Sequence, residues 1–237
     1  MQIVKIKSIK KINNDSKKYD ITTEQNNNFF ANNILVHNSN IRIGLIRTHY
    51  IYQNNKNIFV NLYNIIKYIF NKEKFVIGSH NVQRKINLFK KSIYQLPLND
   101  QNKKFLSFLK KKFKAQSVIL FGEIYGSKIQ DLSYDTNPTY KFFDIYIDGK
   151  YVDFEDFIKY TSQFDIPIVP ILYQGKFSYD IIKELSKGNT TLGNQSHIRE
   201  GVVVKPVEER THDNLGRVIL KFINDDYLIR KNPTEFH

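Results

Sequence analysis

An apolar stretch at residues 117–126, SVILFGEIYG, contains one carboxylate, Glu123, and ends at a glycine. A second stretch, YKFFDIYI at residues 140–147, contains Asp144 and is followed by Asp148-Gly149. Runs of this length that are rich in Val, Ile, Phe and Tyr predict β-strands, and an Asp-Gly pair after such a run predicts a hairpin turn. The two stretches therefore predict two β-strands that carry a few acidic side chains among apolar ones.

Helix and strand patterns alternate around these two stretches. Residues 102–113 place five apolar side chains at helical spacing, with lysines on the opposite face. The other predicted elements are helices at residues 153–162 and 178–187, and strands through Ile41, Ile43 and Leu45, at residues 201–205 and at residues 217–223. This mixture predicts an α+β fold.

The composition of the 237-residue chain excludes several classes of protein. Hydrophobic residues make up 41% and charged residues 25%, which is enough apolar material for a packed core and excludes wholesale disorder. The chain has no cysteine, so disulfides, thiolate metal sites and a cysteine nucleophile are excluded. Because no apolar run reaches the roughly 18 residues of a membrane span and no secretion signal is recognisable, we expect a cytoplasmic protein that does not enter a membrane.

The charge balance indicates the kind of partner. The chain has 36 Lys and Arg residues against 23 Asp and Glu residues, for a net charge of +13. A surplus of this size favours a polyanionic partner, with nucleic acid ahead of an anionic membrane.

Two segments near the amino terminus, KYDIT at residues 18–22 and NFFANNILVHNS at residues 28–39, resemble the carboxy-terminal part of an intein. The tripeptide His-Asn-Ser has a chemistry of its own, because the amide nitrogen of an Asn side chain can attack its own main-chain carbonyl, form a succinimide and cut the following bond. The resemblance implies that Asn38 cyclises, that His37 assists the leaving group, and that Ser39 is the acceptor nucleophile. It also implies that Asp20 tunes these steps.

Residues 1–38 would then be only the terminal half of an intein, a small all-β fragment of the Hint type. Asn27 stands where the family often has histidine, and Asn33 where it usually has glycine or aspartate. The amino-terminal half of the intein pattern is missing. The resemblance therefore implies a split intein, which associates with an N-terminal partner polypeptide and splices in trans.

Residues 39–237 resemble the nucleotidyltransferase domain of ATP-dependent RNA ligases. Four segments match the motifs of that family in order: FGEIYG at residues 121–126, FFDIY at 142–146, EGVVVKP at 200–206 and LKF at 220–222. The resemblance implies an antiparallel-rich, ATP-grasp-like domain with its helices outside, ATP as the AMP donor, and Mg²⁺ or Mn²⁺ as the metal. RNA would be the polyanionic partner.

In this family a lysine amine attacks the α-phosphorus of ATP to give lysyl-AMP, AMP passes to an RNA 5′-phosphate, and an RNA 3′-hydroxyl displaces it. The resemblance implies nucleotide-binding roles for Asn40, Glu123, Phe143, Asp144, Glu200, Lys205 and Lys221, and substrate contacts for Arg42, His80 and Arg84. Glu123 would hold the ribose, and Phe143 would stack on adenine with Asp144 beside it. Lys205 and Lys221 would contact the AMP phosphate, and Glu200 would bind the metal or orient the lysine nucleophile. Ile219 and Ile223 flank Lys221, where relatives carry a second lysine.

The remnant SNIRI at residues 39–43 reads as the tail of the ligase motif Lys-x-x-Gly-(Ser/Thr)-Asn, without its Lys-x-x-Gly part. The nucleophilic lysine is therefore predicted to lie in the partner polypeptide, so that this chain alone forms no lysyl-AMP. A competing alignment places Leu35 at the lysine position and makes the chain a degenerate ligase. The motifs are also compatible with a DNA ligase or capping enzyme of the same superfamily, and with a non-catalytic nucleic-acid-binding relic.

Overall fold

The computed structural model describes residues 40–47, 73–79, 82–87, 92–127, 129, 134, 136–192, 197–213 and 216–229. The predicted intein fragment, residues 1–38, lies outside the described residues, as do Ser39 and His80. The chain divides into two compact units. The large-sheet unit consists of the described residues of Asn38–Tyr125 and Pro138–Val169, and the small-sheet unit of those of Gly126–Asn137 and Pro170–His237.

Six antiparallel strands form the sheet of the large-sheet unit. They are β1 (Asn40–Arg47), β2 (Glu73–Ser79), β3 (Val82–Arg84), β4 (Ser117–Tyr125), β5 (Thr139–Ile147) and β6 (Lys150–Tyr151). Their order across the sheet is β3-β2-β1-β4-β5-β6, so the two strands predicted from the apolar stretches are neighbours near its middle. The antiparallel-rich α+β fold that we predicted is confirmed.

In the described part of this unit two α-helices accompany the sheet, α1 (Asp100–Lys112) and α2 (Phe154–Gln163). On α1, Phe105, Leu106 and Leu109 are fully buried, as are Ile43 of β1 and Leu120 of β4. Burial of this much apolar surface is the main stabilising contribution to the unit. The sheet face that contains Ile43 and Leu120 is called the helix face below.

The hydroxyl of Tyr140 fixes the start of α1 against the helix face. It accepts hydrogen bonds from the Asn99 and Asn102 side-chain amides at 2.6 and 3.0 Å. The Asn99 side chain also caps α1 by accepting from the Asn102 backbone N–H. Tyr140 pairs across the sheet with Ile124, which is buried on the helix face. These contacts place α1 on that face, and the opposite face of the sheet is called the polar face.

A β-bulge interrupts the pairing of β4 with β5. Phe121 lies opposite Asp144, while Gly122 lies opposite Phe142, so Phe143 is the extra residue. Because of this insertion, Phe142 and Ile145 both lie on the helix face and are fully buried. Without it, the two-residue period of the strand would send Asp144 to the same face as Phe142.

The small-sheet unit contains shorter elements. They are α3 (Tyr179–Ser186), β7 (Gly201–Val204), β8 (Thr211–His212), β9 (Gly216–Arg217), β10 (Leu220–Ile223) and α4 (Asp225–Leu228). Strand β7 pairs antiparallel with β10, and β8 pairs with β9. The single strand predicted at residues 217–223 is wrong, because the chain leaves β9 after Arg217 and enters β10 only at Leu220.

The predicted hairpin at Asp148-Gly149 is confirmed, with φ of 44° and 93° at its two residues. The Asp148 carboxylate accepts hydrogen bonds from the backbone N–H groups of Gln116 and Ser117 and from the Ser117 hydroxyl, at 2.7–3.1 Å. Burial would raise the pKa of Asp148, but these hydrogen bonds together lower it below its ordinary value. No helix within the described ranges is long and apolar enough to cross a membrane.

We expect Gly122→Ala to destabilise the large-sheet unit. An added Cβ would lie 2.5 Å from the Lys141 carbonyl oxygen and 2.8 Å from the Phe142 ring. Overpacking of this kind costs about 1–3 kcal/mol. Gly188→Ala is the control, because no atom lies within 4 Å of its added Cβ and only its positive φ opposes the change. Urea unfolding that shows Gly122→Ala to be no less stable than Gly188→Ala would contradict the close approach.

We expect the Asp148→Asn variant to lose part of the acid sensitivity of folding. A carboxylate whose pKa is lowered in the folded state stabilises it above the unfolded pKa of about 4, and this contribution disappears as the pH falls through the folded value. The difference in unfolding free energy between wild type and Asp148→Asn should therefore be constant above about pH 5 and shrink below about pH 4. Chemical denaturation across this pH range measures the difference in unfolding free energy. A difference that grows toward low pH would contradict a lowered pKa of Asp148.

Candidate functional site

The polar face of the large sheet brings together residues that are far apart in the chain. Asn40 at the start of β1 lies directly opposite Glu123 of β4, and Glu123 lies directly opposite Lys141 of β5. Side chains at such opposed positions have Cβ atoms about 4.5–5.5 Å apart. The three side chains are half-buried, so an amide, a carboxylate and an ammonium group form a polar row across three strands.

Asp144 extends this row on the same face because of the β-bulge. It lies opposite Phe121, and only 4% of its surface is exposed. Phe143, the extra residue, is half-buried, in contrast with the fully buried Phe142 before it. The aromatic ring predicted to bind a ligand is thus separated from the one that packs the core.

Arg42 lies next to Asn40 on the polar face of β1, since the two are two residues apart. Its guanidinium carbon is 5.0 Å from the centroid of the Phe121 ring, and Phe121 in turn contacts Tyr146 and Tyr151 at 6.0 and 5.8 Å between ring centroids. Burial lowers the pKa of Arg42, while its attraction to Tyr151 acts in the opposite direction. Its Nε is buried and has no hydrogen-bond partner among the described residues. The half-buried guanidinium over the Phe121 ring nevertheless gives this face a fixed positive charge, which suits an anionic ligand.

A second polar group lies in the small-sheet unit. The Lys221 ammonium donates to Glu200 Oε1 at 2.6 Å, and these side chains are 21% and 33% exposed. Glu200 directly precedes β7, and its backbone carbonyl accepts from the Asn224 N–H, which extends the pairing of β7 with β10. Lys205 directly follows β7 and is half-buried. The two predicted phosphate-binding lysines and Glu200 therefore belong to the two ends of one strand pair.

Gly201 sets the geometry of this strand pair. Its φ is 153°, and a Cβ at this position would clash with the carbonyl oxygen of Phe222. The close approach of β10 to Gly201 holds Lys221 within reach of Glu200, so the Glu-Gly sequence of this motif has a steric reason as well as a chemical one.

One predicted substrate contact lies at the β3 edge of the large sheet. Arg84 of β3 donates from Nε and Nη2 to the Ser79 hydroxyl at 3.3 Å, and its guanidinium carbon lies 4.3 Å from the Tyr94 ring centroid. These contacts hold Arg84 on its own hairpin, apart from the row that contains Asn40 and Glu123. His80, the other substrate contact predicted from this stretch, lies outside the described residues.

The carboxylates of the described residues suit a metal ion that is bound mainly through the phosphates of a bound substrate. Among the described residues, no three acidic or histidine side chains converge on one point. Mg²⁺ commonly keeps several waters and binds through one or two carboxylates together with substrate phosphates. Glu200 fits that description, because the ion pair with Lys221 engages Oε1 and leaves Oε2 as a further acceptor.

Lys141 is the polar-face residue that sequence reasoning missed. The sequence TYKFFDIYI at residues 139–147 could have identified it, because a lysine inside an apolar strand has to face away from the core. The predicted intein residues Asp20, His37, Asn38 and Ser39 lie outside the described residues, so their roles stay predictions.

Known proteins resemble this chain both in sequence and in fold. A model of the family described as RNA ligase matches residues 36–223. The fold is similar to variants of the Naegleria gruberi RNA ligase solved with ATP and Mn (TM-score 0.54), with AMP and Mn (0.55), and apo (0.53). The first two are 18% identical to this chain, and the match covers 80% of this chain and 48% of the ligase chain. The third is 16% identical, and the match covers 88% of this chain and 56% of the ligase chain. The chain thus spans about half the length of these ligases. No curated protein matches it.

We expect the two neighbouring phenylalanines to differ in their effect on stability. Phe142→Ala should lower the free energy of unfolding by about 3–5 kcal/mol, because its ring is fully buried. Phe143→Ala should cost less than about 1.5 kcal/mol, because its ring is half-buried at the bulge. Thermal and urea unfolding of both variants measure this difference, and equal losses would place both rings in the core.

Proposed function

This chain belongs to the RNA ligase family, and from that premise we propose that it is the nucleotidyltransferase domain of an ATP-dependent RNA ligase. The observation that carries the proposal is the polar face, where Asn40, Glu123 and Asp144 of three separate motifs share one side of the sheet. Because apolar packing does not require these residue types there, a polar ligand accounts for them best.

In the large-sheet unit we assign the nucleoside to the polar face. Glu123 and Asn40 offer acceptors and a donor for the ribose hydroxyls, and Phe143 offers a ring face for adenine, with Asp144 beside it. Lys141 is added to this set as a cation opposite Glu123. Arg42, whose guanidinium lies over the Phe121 ring on this face, is assigned to a phosphate of the substrate.

In the small-sheet unit we assign Lys205 and Lys221 to nucleotide phosphate. Transfer of AMP develops negative charge on phosphate oxygens, and preorganised cations stabilise that charge in the transition state. The 2.6 Å ion pair positions the Lys221 ammonium before a ligand arrives, so little reorganisation is needed. A Mg²⁺ or Mn²⁺ ion held at Glu200 would supply further charge neutralisation there.

The nucleophile itself is proposed to come from a partner polypeptide. The tail Ser39-Asn40 of the lysine motif is present, whereas residues 35–38 contain no lysine. We therefore propose that residues 1–38 are the terminal half of a split intein. Ser39 would take the acyl group of the partner from the first residue of the amino-terminal intein half, which leaves on that transfer. Cyclisation of Asn38, assisted by His37, would then release the intein and free the Ser39 amine, and an O-to-N acyl shift would form the peptide bond.

One observation favours a second candidate. The match to the RNA ligase family begins at residue 36, three residues before Ser39. This start agrees with the alignment that sets Val36–Asn40 against the motif and Leu35 against its lysine. The chain would then be a ligase-derived domain that binds nucleotide or RNA without forming lysyl-AMP.

An adenylylation assay separates the two candidates. The chain alone, incubated with labelled ATP and Mg²⁺, should form no covalent AMP adduct, because its motif lacks the lysine. The partner polypeptide for the test carries Lys-x-x-Gly joined directly to the amino-terminal half of an intein. When the two are mixed, mass spectrometry should detect a spliced product, and labelled ATP should label that product. Asn38→Ala should block splicing, and Phe143→Ala in the spliced product should weaken ATP binding.

The controls are chosen to identify which part of the proposal fails. Labelling of the chain alone would contradict the assignment of the lysine to a partner. Failure to splice, together with no label on the chain, would support the non-catalytic candidate, whereas splicing without labelling would contradict only the ligase activity of the spliced product. Sealing of nicked duplexes made of RNA, DNA or both then tests the substrate, and a preference for all-DNA nicks would favour a DNA ligase.

A further inference from the structure

The outward side of α1 forms a basic groove that the candidate site does not use. A depression of about 540 Å³ is lined by Lys103, Lys104, Ser107 and Lys111, with Phe108 and Asp100 completing it. A second depression, of about 310 Å³, contains Lys110, Lys111, Lys114 and Arg47 as its cations. The two depressions share Ser107 and Lys111, so they form one continuous surface, called the α1 groove below.

The charge of the α1 groove is only partly neutralised within the protein. Asp100 pairs with Lys103 at 3.3 Å, and Glu73 pairs with Lys110 at 3.7 Å. Lys104, Lys111 and Lys114 are exposed and form no ion pair among the described residues. The groove therefore presents three positive charges that no described residue pairs, two on α1 and one just after its end.

The requirements of the helix explain only some of these lysines. Basic residues in the last turn, such as Lys111, stabilise a helix through its dipole. Lys110 is buried and donates to the carbonyl oxygens of Ala115 and Gln116 at 2.7 and 2.9 Å, so it fixes the turn after α1. Lys104, however, lies in the amino-terminal half of α1, where a positive charge gains nothing from the dipole. Lys114 lies beyond α1, with φ of 51°.

The α1 groove and the polar face are on opposite sides of the large sheet. The apolar side of α1 packs on the helix face, and the groove lies on its other side. Asn40, Glu123 and Asp144 lie on the polar face. A ligand in the groove therefore cannot be the nucleotide that we assign to the polar face.

We propose that the α1 groove binds the phosphate backbone of RNA at a distance from the sealed ends. The choice of RNA among polyanions rests on the proposed function, whereas the groove itself rests on charge and shape. Phe108, half-buried in the groove, gives an unpaired base or a ribose an apolar surface. At 1.5 Å per residue, α1 spans about 20 Å, which matches about six nucleotides of one duplex strand.

The groove is tested with the triple variant Lys104→Gln, Lys111→Gln and Lys114→Gln of the full chain. Glutamine has nearly the helix propensity of lysine, so α1 should persist, and circular dichroism with thermal unfolding checks this. The matched control replaces three exposed lysines outside the groove, Lys85, Lys150 and Lys176, by glutamine. Both variants lose the same net charge.

Fluorescence anisotropy with labelled single-stranded RNA and with an RNA hairpin, over a range of KCl concentrations and without nucleotide, gives the readout. The slope of log K against log salt should fall by about 2–3 in the groove variant, because each phosphate contact contributes roughly 0.7–0.9. The control variant should keep the wild-type slope within about one unit.

Equal effects of the two triple variants, or no effect of either, would overturn the proposal. So would unchanged RNA binding accompanied by lost binding to phosphatidylserine vesicles, which would assign the groove to a membrane surface. The outcome is separable from that of the proposed function. A spliced protein that forms the AMP adduct while the groove variant binds RNA normally refutes only the groove. Groove-dependent RNA binding by a protein that forms no adduct refutes only the ligase activity.

Discussion

The candidate site requires the β-bulge between β4 and β5. Strand β5 has to place Phe142 and Ile145 in the core, and it also carries Asp144 between them. A regular strand would turn that carboxylate into the apolar helix face, where an unpaired charge costs many kcal/mol. The extra residue, Phe143, resets the alternation and sends Asp144 to the polar face. Gly122 makes the bulge possible, because only a residue without Cβ fits beneath the Lys141 carbonyl.

The two faces of the large sheet therefore contribute differently to the protein. The helix face holds Ile43, Leu120 and the apolar side of α1 in a packed core, which supplies stability. The polar face carries amide, carboxylate and ammonium groups beside the packed rings of Phe121 and Tyr146, and these polar groups supply chemistry. Helix α1 shows the same division on a smaller scale, because Phe105, Leu106 and Leu109 pack inward while Lys104 and Lys111 of the groove are exposed. Rigid packing on one side is what keeps the polar groups of the other side in register.

In the small-sheet unit, backbone contacts also position the polar side chains of the candidate site, and fewer residues take part. Strands β7 and β10 are only four residues long, and their pairing is tightened at Gly201, where the Phe222 carbonyl approaches too closely for any side chain. The Asn224 side chain donates to the Arg199 carbonyl, and its oxygen accepts from the Asp226 N–H. These contacts fix the strand pair around the ion pair of Glu200 with Lys221, so the distance between the two charges is set by the backbone.

The amino-acid sequence alone located α1, α2 and α3 and strands β1, β4, β5 and β7, because their signals are local, but it did not predict β2. Amphipathic spacing predicted α1 within two residues at its start, and alternation with an Asp-Gly pair predicted β5 and its hairpin. Sequence motifs also identified Asn40, Glu123 and Asp144 as candidate site residues. The folded chain was needed to show that Asn40 faces Glu123, that Lys141 joins them, and that residues 217–223 are not one strand. Strand register and bulges depend on how distant segments pair and on the space left at Gly122. The residue pattern of one strand does not specify which strand pairs with it or in which register.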